Sequence, residues 1–179
     1  MKIIVIRHGK VDMKWPKSCT SAGFDEACAR YNEAPIVKIE KTSLENGADV
    51  IYVSSLSRSK ETARSLFGNR EFVELPEISE VPLRSFKDTK KTYPLWVWNV
   101  LGRGQWLFKN KRTEEDITAT RMRANKAIDI CEAEGKDCIL VTHGFFMKTL
   151  LKEMKKRGYS LRGSKRIQFN NLQSVIAEK

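Results

Sequence analysis

The chain has 179 residues, 41% of them hydrophobic, and carries a formal net charge of +11 at pH 7. This length and composition suit a single globular domain with a sizeable core rather than a disordered protein. The charge favours anionic partners, among them phosphorylated small molecules, phosphoproteins, nucleic acid and acidic membrane surfaces, but it does not choose between them.

The N-terminus and the apolar runs argue against export and against insertion into a membrane. No apolar run approaches the roughly 18 residues that a membrane-spanning helix needs. The opening MKIIVIRHGK is apolar for only a few residues and then charged, unlike a secretory signal. We therefore expect a cytoplasmic protein with no membrane partner.

The four cysteines predict neither a metal site nor a disulfide framework. Cys19, Cys28, Cys131 and Cys138 match no common zinc-binding spacing, and disulfides are rare in the cytoplasm. We expect them to be scattered buried or half-buried thiols, and we expect no metal and no cofactor.

Three short apolar segments predict buried strands. They are Lys2 to Ile6, Val50 to Val53 and Asp137 to Val141. Unbroken apolar runs of this length are typical of a parallel sheet that is covered on both faces. A helix-like stretch follows the second segment, from about Ser57 to Phe67, and another follows the third, from Phe145 to about Arg157. This alternation predicts an α/β domain.

A further helix is predicted between the second and third strands, after a loop that Pro76 and Pro82 bracket. It covers Tyr93 to Phe108. Its tryptophan side chains are expected in the core or in the wall of a cleft, and they are Trp96, Trp98 and Trp106.

The next helix, Arg112 to Glu134, is predicted to be long and to pack on the sheet. Its N-terminal signal consists of Thr113, Glu114 and Glu115. One face is expected to be buried, and its residues are Ile117, Met122, Ala127, Ile128 and Cys131. A last strand is predicted within Arg166 to Ile176.

Residues suited to phosphate chemistry follow all three predicted strands. Arg7-His8-Gly9 follows the first, Ser54-Ser55-Leu56-Ser57-Arg58 the second, and Thr142-His143-Gly144 the third. Open α/β sheets bind ligands at the carboxyl ends of their strands, so we expect these residues to meet at one edge. The chain has only two histidines, and each ends a strand and precedes a glycine.

These residue types indicate a site that handles phosphate. A neutral imidazole can attack phosphorus, and an arginine binds phosphate oxygens through a charged, bidentate fork. Phosphoryl transfer depends mostly on positioning and charge stabilisation, so two arginines and a second histidine around one nucleophile suit it. Gly9 and Gly144 would allow a close approach to the backbone.

The three segments together resemble the histidine phosphatase superfamily, also called the phosphoglycerate-mutase-like family. Arg7-His8-Gly9 is similar to its RHG signature, Val141-Thr142-His143-Gly144 to its V-x-H-G segment, and Ser54 to Ala63 to its SS-x-x-x-R-x-x-x-TA segment. The resemblance spans most of the chain. It implies a three-layer α/β/α sandwich with a mostly parallel sheet, built as a single domain over residues 1–179 with a small cap region at roughly 84–112.

The resemblance also implies roles in the phosphate pocket. His8 would be the nucleophile that becomes phosphohistidine. Arg7, Arg58 and His143 would complete the pocket and stabilise the transferring group, next to Gly9 and Gly144.

The family's acid is a carboxylate in a loop after the second strand and helix. Glu80 matches it best, and Glu77 and Glu74 are the competitors. An acid that protonates the leaving oxygen must be neutral, so its surroundings would have to raise its pKa.

The chain departs from the family after the RHG signature. It reads Lys10-Val11-Asp12-Met13, so the Asn or Ser that often touches the phosphate is missing at its usual place. Lys10 or Lys14 is a candidate to supply charge instead. With Lys87, Lys90 and Lys91 they are interpreted as a solvated basic rim that steers anionic substrates.

We therefore expect a metal-independent phosphomonoester hydrolase that acts through a phosphohistidine, on a phosphorylated small molecule or a phosphoprotein. A phosphomutase is an alternative, although the chain has little room for the long insertions of the classical mutases that it resembles. A catalytically inactive phosphate-binding module or a basic nucleic-acid binder is another, although no nucleic-acid motif is visible.

Overall fold

The computed structural model describes residues 1–40, 47–163 and 170–179. Within them the chain alternates between strands and helices. In chain order the elements are β1 (Lys2–Arg7), β2 (Ser18–Cys19), α1 (Ser21–Glu33), β3 (Val50–Val53), α2 (Ser57–Phe67), β4 (Val73–Glu74), a 3₁₀ helix (Pro76–Ile78), β5 (Tyr93–Pro94), α3 (Leu95–Leu107), α4 (Ile117–Glu134), β6 (Cys138–Thr142), α5 (Gly144–Lys156), β7 (Ser160–Arg162) and β8 (Ser174–Glu178).

A six-stranded, mostly parallel sheet forms the centre of the protein. Its strand order is β4-β3-β6-β1-β8-β7, with β4, β3, β6 and β1 parallel and with β8 and β7 each antiparallel to the preceding strand in that order. The three strands predicted from the sequence lie side by side as β3, β6 and β1. β3 has the predicted bounds, β1 is one residue longer, and β6 is shifted by one residue. The predicted α/β class is thus confirmed.

Helices cover both faces of the sheet because the inner strands are apolar on both sides. In β1, Ile3 and Val5 pack in one cluster with residues of α4 and α5, such as Ile128 and Leu150. The alternate residues of β1 pack in a second cluster with residues of α2, such as Ala63. Side chains alternate between the two faces of a strand, so this arrangement gives the three layers expected from the resemblance.

The long helix α4 begins five residues later than predicted. The carboxylate of Asp116 caps it by accepting hydrogen bonds from the amides of Thr118 and Ala119, at 2.7 and 2.9 Å. An N-cap of this kind satisfies amides that lack a partner within the helix. The expected N-terminal signal therefore lies in the preceding turn. The prediction that Met122 belongs to the buried face is wrong, because this side chain is exposed.

The helix predicted over 93–108 is α3, which is shorter because Tyr93 and the next residue pair with β2 in a small two-stranded sheet. Trp98 is fully buried, and its indole nitrogen donates to the carbonyl of Cys19 at 3.0 Å. Trp106 is half-buried. The expectation that Trp96 lies in the core or a cleft wall is wrong, because it is exposed on the opposite side of α3.

Helix α1 was not predicted from the sequence. It is mostly polar, and only Ser21, Phe24 and Ala27 are buried. The hydroxyl of Thr20 caps it by accepting from the amide of Gly23 at 3.2 Å. α1 matters for function because its last residues reach the candidate active site.

Two boundary predictions need correction. The last strand, β8, is Ser174–Glu178, whereas the prediction placed a strand within Arg166 to Ile176, a range that lies partly outside the described residues. The loop expected between the two prolines contains the 3₁₀ helix Pro76–Ile78.

Two further expectations concern the state of the cysteines and the absence of a membrane-spanning segment. All four cysteines are free thiols, buried or half-buried as expected. Within residues 1–40, 47–163 and 170–179, no helix has the length and apolar character to cross a membrane. The division into one domain with a cap at roughly 84–112 stays a prediction.

Candidate active site

The carboxyl ends of β1, β3 and β6 bring the predicted residues to one edge of the sheet. Arg7 is opposite Thr142 in the parallel pairing of β1 and β6, and the amide of His8 donates to the carbonyl of Thr142 at 2.9 Å. The rings of His8 and His143 lie side by side, with 5.0 Å between their centroids. The two histidines that the sequence places at strand ends are therefore neighbours in space.

The imidazole ring of His8 is neutral, and one of its two nitrogens is already engaged in a hydrogen bond. Its Nδ1 lies 2.7 Å from the carbonyl oxygen of Gly9, which can only accept, so Nδ1 carries the proton and Nε2 keeps its lone pair. Burial, and then the charges of Arg58 and Arg7, lower the pKa of His8 to about 3, although the hydrogen bond to Gly9 opposes this shift. The ring therefore stays neutral at neutral pH, with the lone pair of Nε2 suited to attack on phosphorus.

His143 is fully buried, and both of its ring nitrogens form hydrogen bonds. The Nε–H of Arg58 donates to Nδ1 at 3.2 Å, so the ring proton sits on Nε2. Nε2 then donates to the hydroxyl of Ser54 at 2.6 Å, and that hydroxyl donates to Ser59 at 2.9 Å. Burial, followed by the charges of His8 and Arg58, lowers the pKa of His143 well below its usual value. In this arrangement His143 holds the guanidinium of Arg58 in place.

Arg58 is held from a second side by α1. Its Nη1 donates to Oδ1 of Asn32 at 3.0 Å, and its guanidinium carbon lies 5.0 Å from the centre of the Tyr31 ring. Burial lowers the pKa of Arg58, but an arginine keeps its charge in proteins. Asn32 and Tyr31 were not among the predicted site residues because helix α1 was not predicted.

The loop that carries His8 is braced by the backbone and by Thr62. The amide of Gly9 donates to the hydroxyl of Thr62 at 2.8 Å, and this hydroxyl donates to the carbonyl of Arg58 at 2.5 Å. From the far end of the chain, the side-chain amide of Asn171 donates to the carbonyl of His8 at 3.0 Å. Thr62 is the threonine of the Thr-Ala pair in the sequence motif, so its hydroxyl joins two of the motif segments.

Gly144 is needed where α5 begins because the Arg7 side chain packs against it. A Cβ atom at this position would lie 2.9 Å from Nε of Arg7, closer than such atoms approach in proteins. The absent side chain thus gives Arg7 its position at the edge of the sheet.

Glu80 reaches the same edge, and its two competitors do not. Its carboxylate accepts from the amides of Phe146 and Phe145, at 2.9 and 3.3 Å, at the start of α5. Glu77 is instead paired with Lys126, and Glu74 with Lys60, and these contacts lower the pKa of both carboxyls. Of the three carboxylates, Glu80 alone lines the adjoining cavity.

A cavity of about 940 Å³ adjoins these residues. Its wall includes Arg7, Arg58, Glu80 and Gly144, whereas the ring of His8 lies beneath the surface with a residue exposure of 2%. His8 itself is not among the residues of the cavity wall.

The rest of the cavity wall is both aromatic and charged. Lys10 and Lys14, suggested as sources of charge, are exposed and do not line it. The wall takes its further aromatic and charged side chains from several elements, and they are Trp15, Asp25, Tyr31, Arg84, Arg103, Glu114, Phe145 and Lys148. Among the described residues, no three His, Cys, Asp or Glu side chains are grouped so that they would hold a metal ion.

Solved structures of phosphatases share this fold at low sequence identity. A mutant phosphoserine phosphatase from Entamoeba histolytica, in complex with phosphoserine, is 18% identical with a TM-score of 0.59, and the match covers 98% of this chain and 89% of that one. A mycobacterial glucosyl-3-phosphoglycerate phosphatase is 14% identical with a TM-score of 0.56, and the match covers 98% and 88%. A search of the curated proteins found no match.

The family itself is shown by the sequence. The sequence model of the histidine phosphatase superfamily (branch 1) matches residues 3–178. This match spans nearly the whole chain and includes the three motif segments that meet at the edge of the sheet. The chain therefore belongs to the histidine phosphatase superfamily.

Proposed function

We propose that the protein is a metal-independent phosphatase that hydrolyses phosphomonoesters through a phosphorylated His8. The observation that carries the proposal is the neutral His8 ring, with its Nε2 lone pair available, close to the charges of Arg7 and Arg58. Membership of the superfamily supports it, as do the structural relatives that are named as phosphatases.

The proposed reaction has two phosphoryl transfers. In the first, Nε2 of His8 attacks phosphorus, the bond between phosphorus and the ester oxygen breaks, and Glu80 gives a proton to the leaving oxygen. In the second, Glu80 takes a proton from water, and the resulting hydroxide displaces His8 from phosphorus. Inorganic phosphate leaves, and both side chains regain their starting protonation states.

The arginines supply the charge that this reaction needs. The phosphoryl group carries negative charge in both transition states, and fixed guanidinium groups stabilise it without reorganising. Arg58 is fixed by His143 and Asn32, and Arg7 by its packing on Gly144. His143 acts in this proposal as a positioning residue for Arg58, whereas the family resemblance assigns it direct contact with the phosphate.

The substrate class is a phosphorylated small molecule or a phosphoprotein side chain. A cavity of about 940 Å³ is larger than a three-carbon phosphate ester requires, and it offers aromatic side chains beside the basic ones. We therefore expect substrates that are larger than the phosphoserine bound by the Entamoeba histolytica relative.

The test is hydrolysis of an aryl phosphate in excess chelator by wild type and by His8→Ala. We expect turnover by wild type and a loss of at least about a thousandfold in the variant, because the nucleophile is gone. Arg64→Ala is the control, since this exposed residue of α2 lies outside the cavity. Intact-mass analysis after a rapid quench should show one phosphoryl group on wild type and none on His8→Ala.

Three outcomes would overturn the proposal. Full turnover by His8→Ala would show that His8 is not the nucleophile. Isomerised phosphoester without free phosphate would indicate a mutase. Phosphate binding without turnover of any aryl or alkyl phosphomonoester would indicate an inactive binding module.

A further inference from the structure

The outer side of α3 is an exposed apolar surface. Its large side chains are exposed to 67% at Trp96, 60% at Val100, 43% at Leu101 and 50% at Leu107, and Phe108, directly after the helix, is exposed to 80%. We call these five residues the outer face of α3. Contiguous apolar surface of this kind is uncommon on a monomeric protein and marks a site of interaction.

The outer face is a continuous stripe along the helix. At 100° per residue its members fall within an arc of about 140°. The opposite side of α3 is buried through Trp98, Gly102 and Gln105, and Trp98 stacks on Phe24 with 5.6 Å between ring centroids. The inner side of α3 therefore attaches the helix to the rest of the protein. Packing in the core does not explain why the outer face is apolar.

The five residues of the outer face are uncharged, and lysines precede and follow them in the chain. Arg103, the one charged residue of α3, turns away from it: its guanidinium lies over the Phe145 ring and donates to the carbonyl of Val81 at 2.9 Å. Exposed lysines flank the helix in the sequence, with Lys90 and Lys91 ahead of it and Lys109 and Lys111 after it.

Acidic side chains near this segment offset the lysines only in part, because the charge of Asp116, whose carboxylate caps α4, interacts with that of Lys109 alone among them. Asp88 forms an ion pair with Arg112, so its charge is already matched. The chain as a whole carries +11. A partner of the outer face must therefore accept apolar side chains at its centre and cations at its edges.

We propose that the outer face of α3 docks on an anionic lipid surface. Helices that lie in a membrane interface bury an apolar stripe that includes Trp or Phe, while flanking lysines reach the charged headgroups. A second copy of the chain fits poorly, because either orientation of two stacked α3 helices would bring lysines together at the ends.

The docking would place the cavity beside the lipid headgroups. Leu95, Asn99 and Arg103 line the cavity from the other flank of α3, and a helix with its side chains is only about 10 Å across. The expectation of no membrane partner rested on the lack of a spanning segment, and peripheral docking needs none. Docking of the outer face does not depend on the proposed phosphatase activity.

Vesicle sedimentation tests the inference directly. We expect wild type to sediment with vesicles that contain phosphatidylglycerol in phosphatidylcholine, to stay in solution with phosphatidylcholine alone, and to be released by salt. The double variant Trp96→Ser/Phe108→Ser should weaken the binding at least about tenfold. Lys109→Gln/Lys111→Gln should weaken it about thirtyfold, since each of the two cations near an anionic surface contributes about 1 kcal/mol.

Matched variants control for lost apolar surface and lost charge. Val73→Ser removes an exposed apolar side chain on β4, and Lys152→Gln/Lys155→Gln removes two exposed charges on α5. Both should bind vesicles as wild type does, and Trp96→Ser/Phe108→Ser should keep wild-type turnover of a soluble aryl phosphate and wild-type thermal unfolding.

Several results would refute lipid docking. They are no sedimentation of wild type with either vesicle, equal sedimentation with both, and unchanged binding of the two outer-face variants. A dimer in sedimentation equilibrium that Trp96→Ser/Phe108→Ser dissociates would assign the face to self-association instead. Because wild-type binding is measured first, poor folding of a variant leaves the proposal testable through the lysine variant.

Discussion

The two histidines differ in which ring nitrogen carries the proton. In His8 the carbonyl of Gly9 fixes the proton on Nδ1, and in His143 the guanidinium of Arg58 fixes it on Nε2. The same imidazole group thus gives the proposed nucleophile in one position and a support for an arginine in the other. Burial keeps both rings neutral, because it penalises the charged form.

Nitrogen-15 NMR can read these tautomers directly. We expect neither ring to titrate between about pH 5 and 8, where an ordinary histidine does. We further expect His8 to show the Nδ1–H tautomer and His143 the Nε2–H tautomer. The chain has only two histidines, so the spectrum of His8→Asn assigns both. Titration of either ring near pH 6.5 would contradict the burial, and matching tautomers would contradict the hydrogen-bond pattern.

Among the helices, α3 links the buried stack of Trp98 on Phe24, the cavity wall and the outer face. Its close packing depends on Gly102, where an added Cβ would lie 2.8 Å from a methyl group of Leu83 and 2.9 Å from the carbonyl oxygen of Arg84. Gly104, one half-turn along, has open space around its own Cβ position. Substitution of the two glycines therefore compares a tightly packed position of α3 with an open one.

Gly102→Ala should lower the free energy of unfolding by about 1–3 kcal/mol, because the backbone of Arg84 cannot give way as a flexible side chain does. Gly104→Ala should leave it unchanged or raise it by up to about 1 kcal/mol, because alanine favours a helix over glycine. Urea unfolding measures both. Equal effects of the two substitutions would show that α3 does not pack closely on the segment before it.

The sequence predicts those elements whose physical signal is local. β1, β3 and β6 are unbroken apolar runs, and α2 and α5 follow two of them. α1 lacks such a signal, since its buried residues are few and its surface is polar. The caps and pairings that shorten α3 and α4 depend on residues outside each apolar pattern, so the predicted boundaries were too wide.

Site residues, too, can be predicted from the sequence only where a local pattern marks them. Arg7, His8, Arg58 and His143 follow strands or begin helices next to them, so topology alone brings them together. Asn32 belongs to α1, which was not predicted, so no sequence pattern indicated that it would reach the site. The choice of Glu80 over its two neighbours depends on lysines that are distant in sequence, which no local pattern shows.

At the scale of the whole molecule, the buried histidines couple folding to pH. The folded pKa of His8 is depressed to about 3, whereas an unfolded histidine titrates near 6.5. Between these two values the unfolded chain binds more protons than the folded protein. Stability is therefore fully present above about pH 6.5 and falls as the pH drops towards 3.

His8→Asn should reduce this loss of stability at acidic pH, because asparagine does not titrate. We expect the free energy of unfolding of wild type to fall more than that of His8→Asn between about pH 7 and pH 4.5. The repulsion from the large positive charge acts on both proteins alike, so the comparison removes it. Identical slopes in urea unfolding would mean that His8 is not buried in a neutral form.

The contact between His8 and Asn171 spans 163 positions of the chain. The backbone of Arg7 is held in the same way, by Leu172 and Gln173, and β8 covers an edge that β1 would otherwise leave open. During synthesis the N-terminal residues emerge first and must wait for the last strand. A chain that stopped before Asn171 would keep every motif residue of the family and still lack the contacts that order its proposed nucleophile.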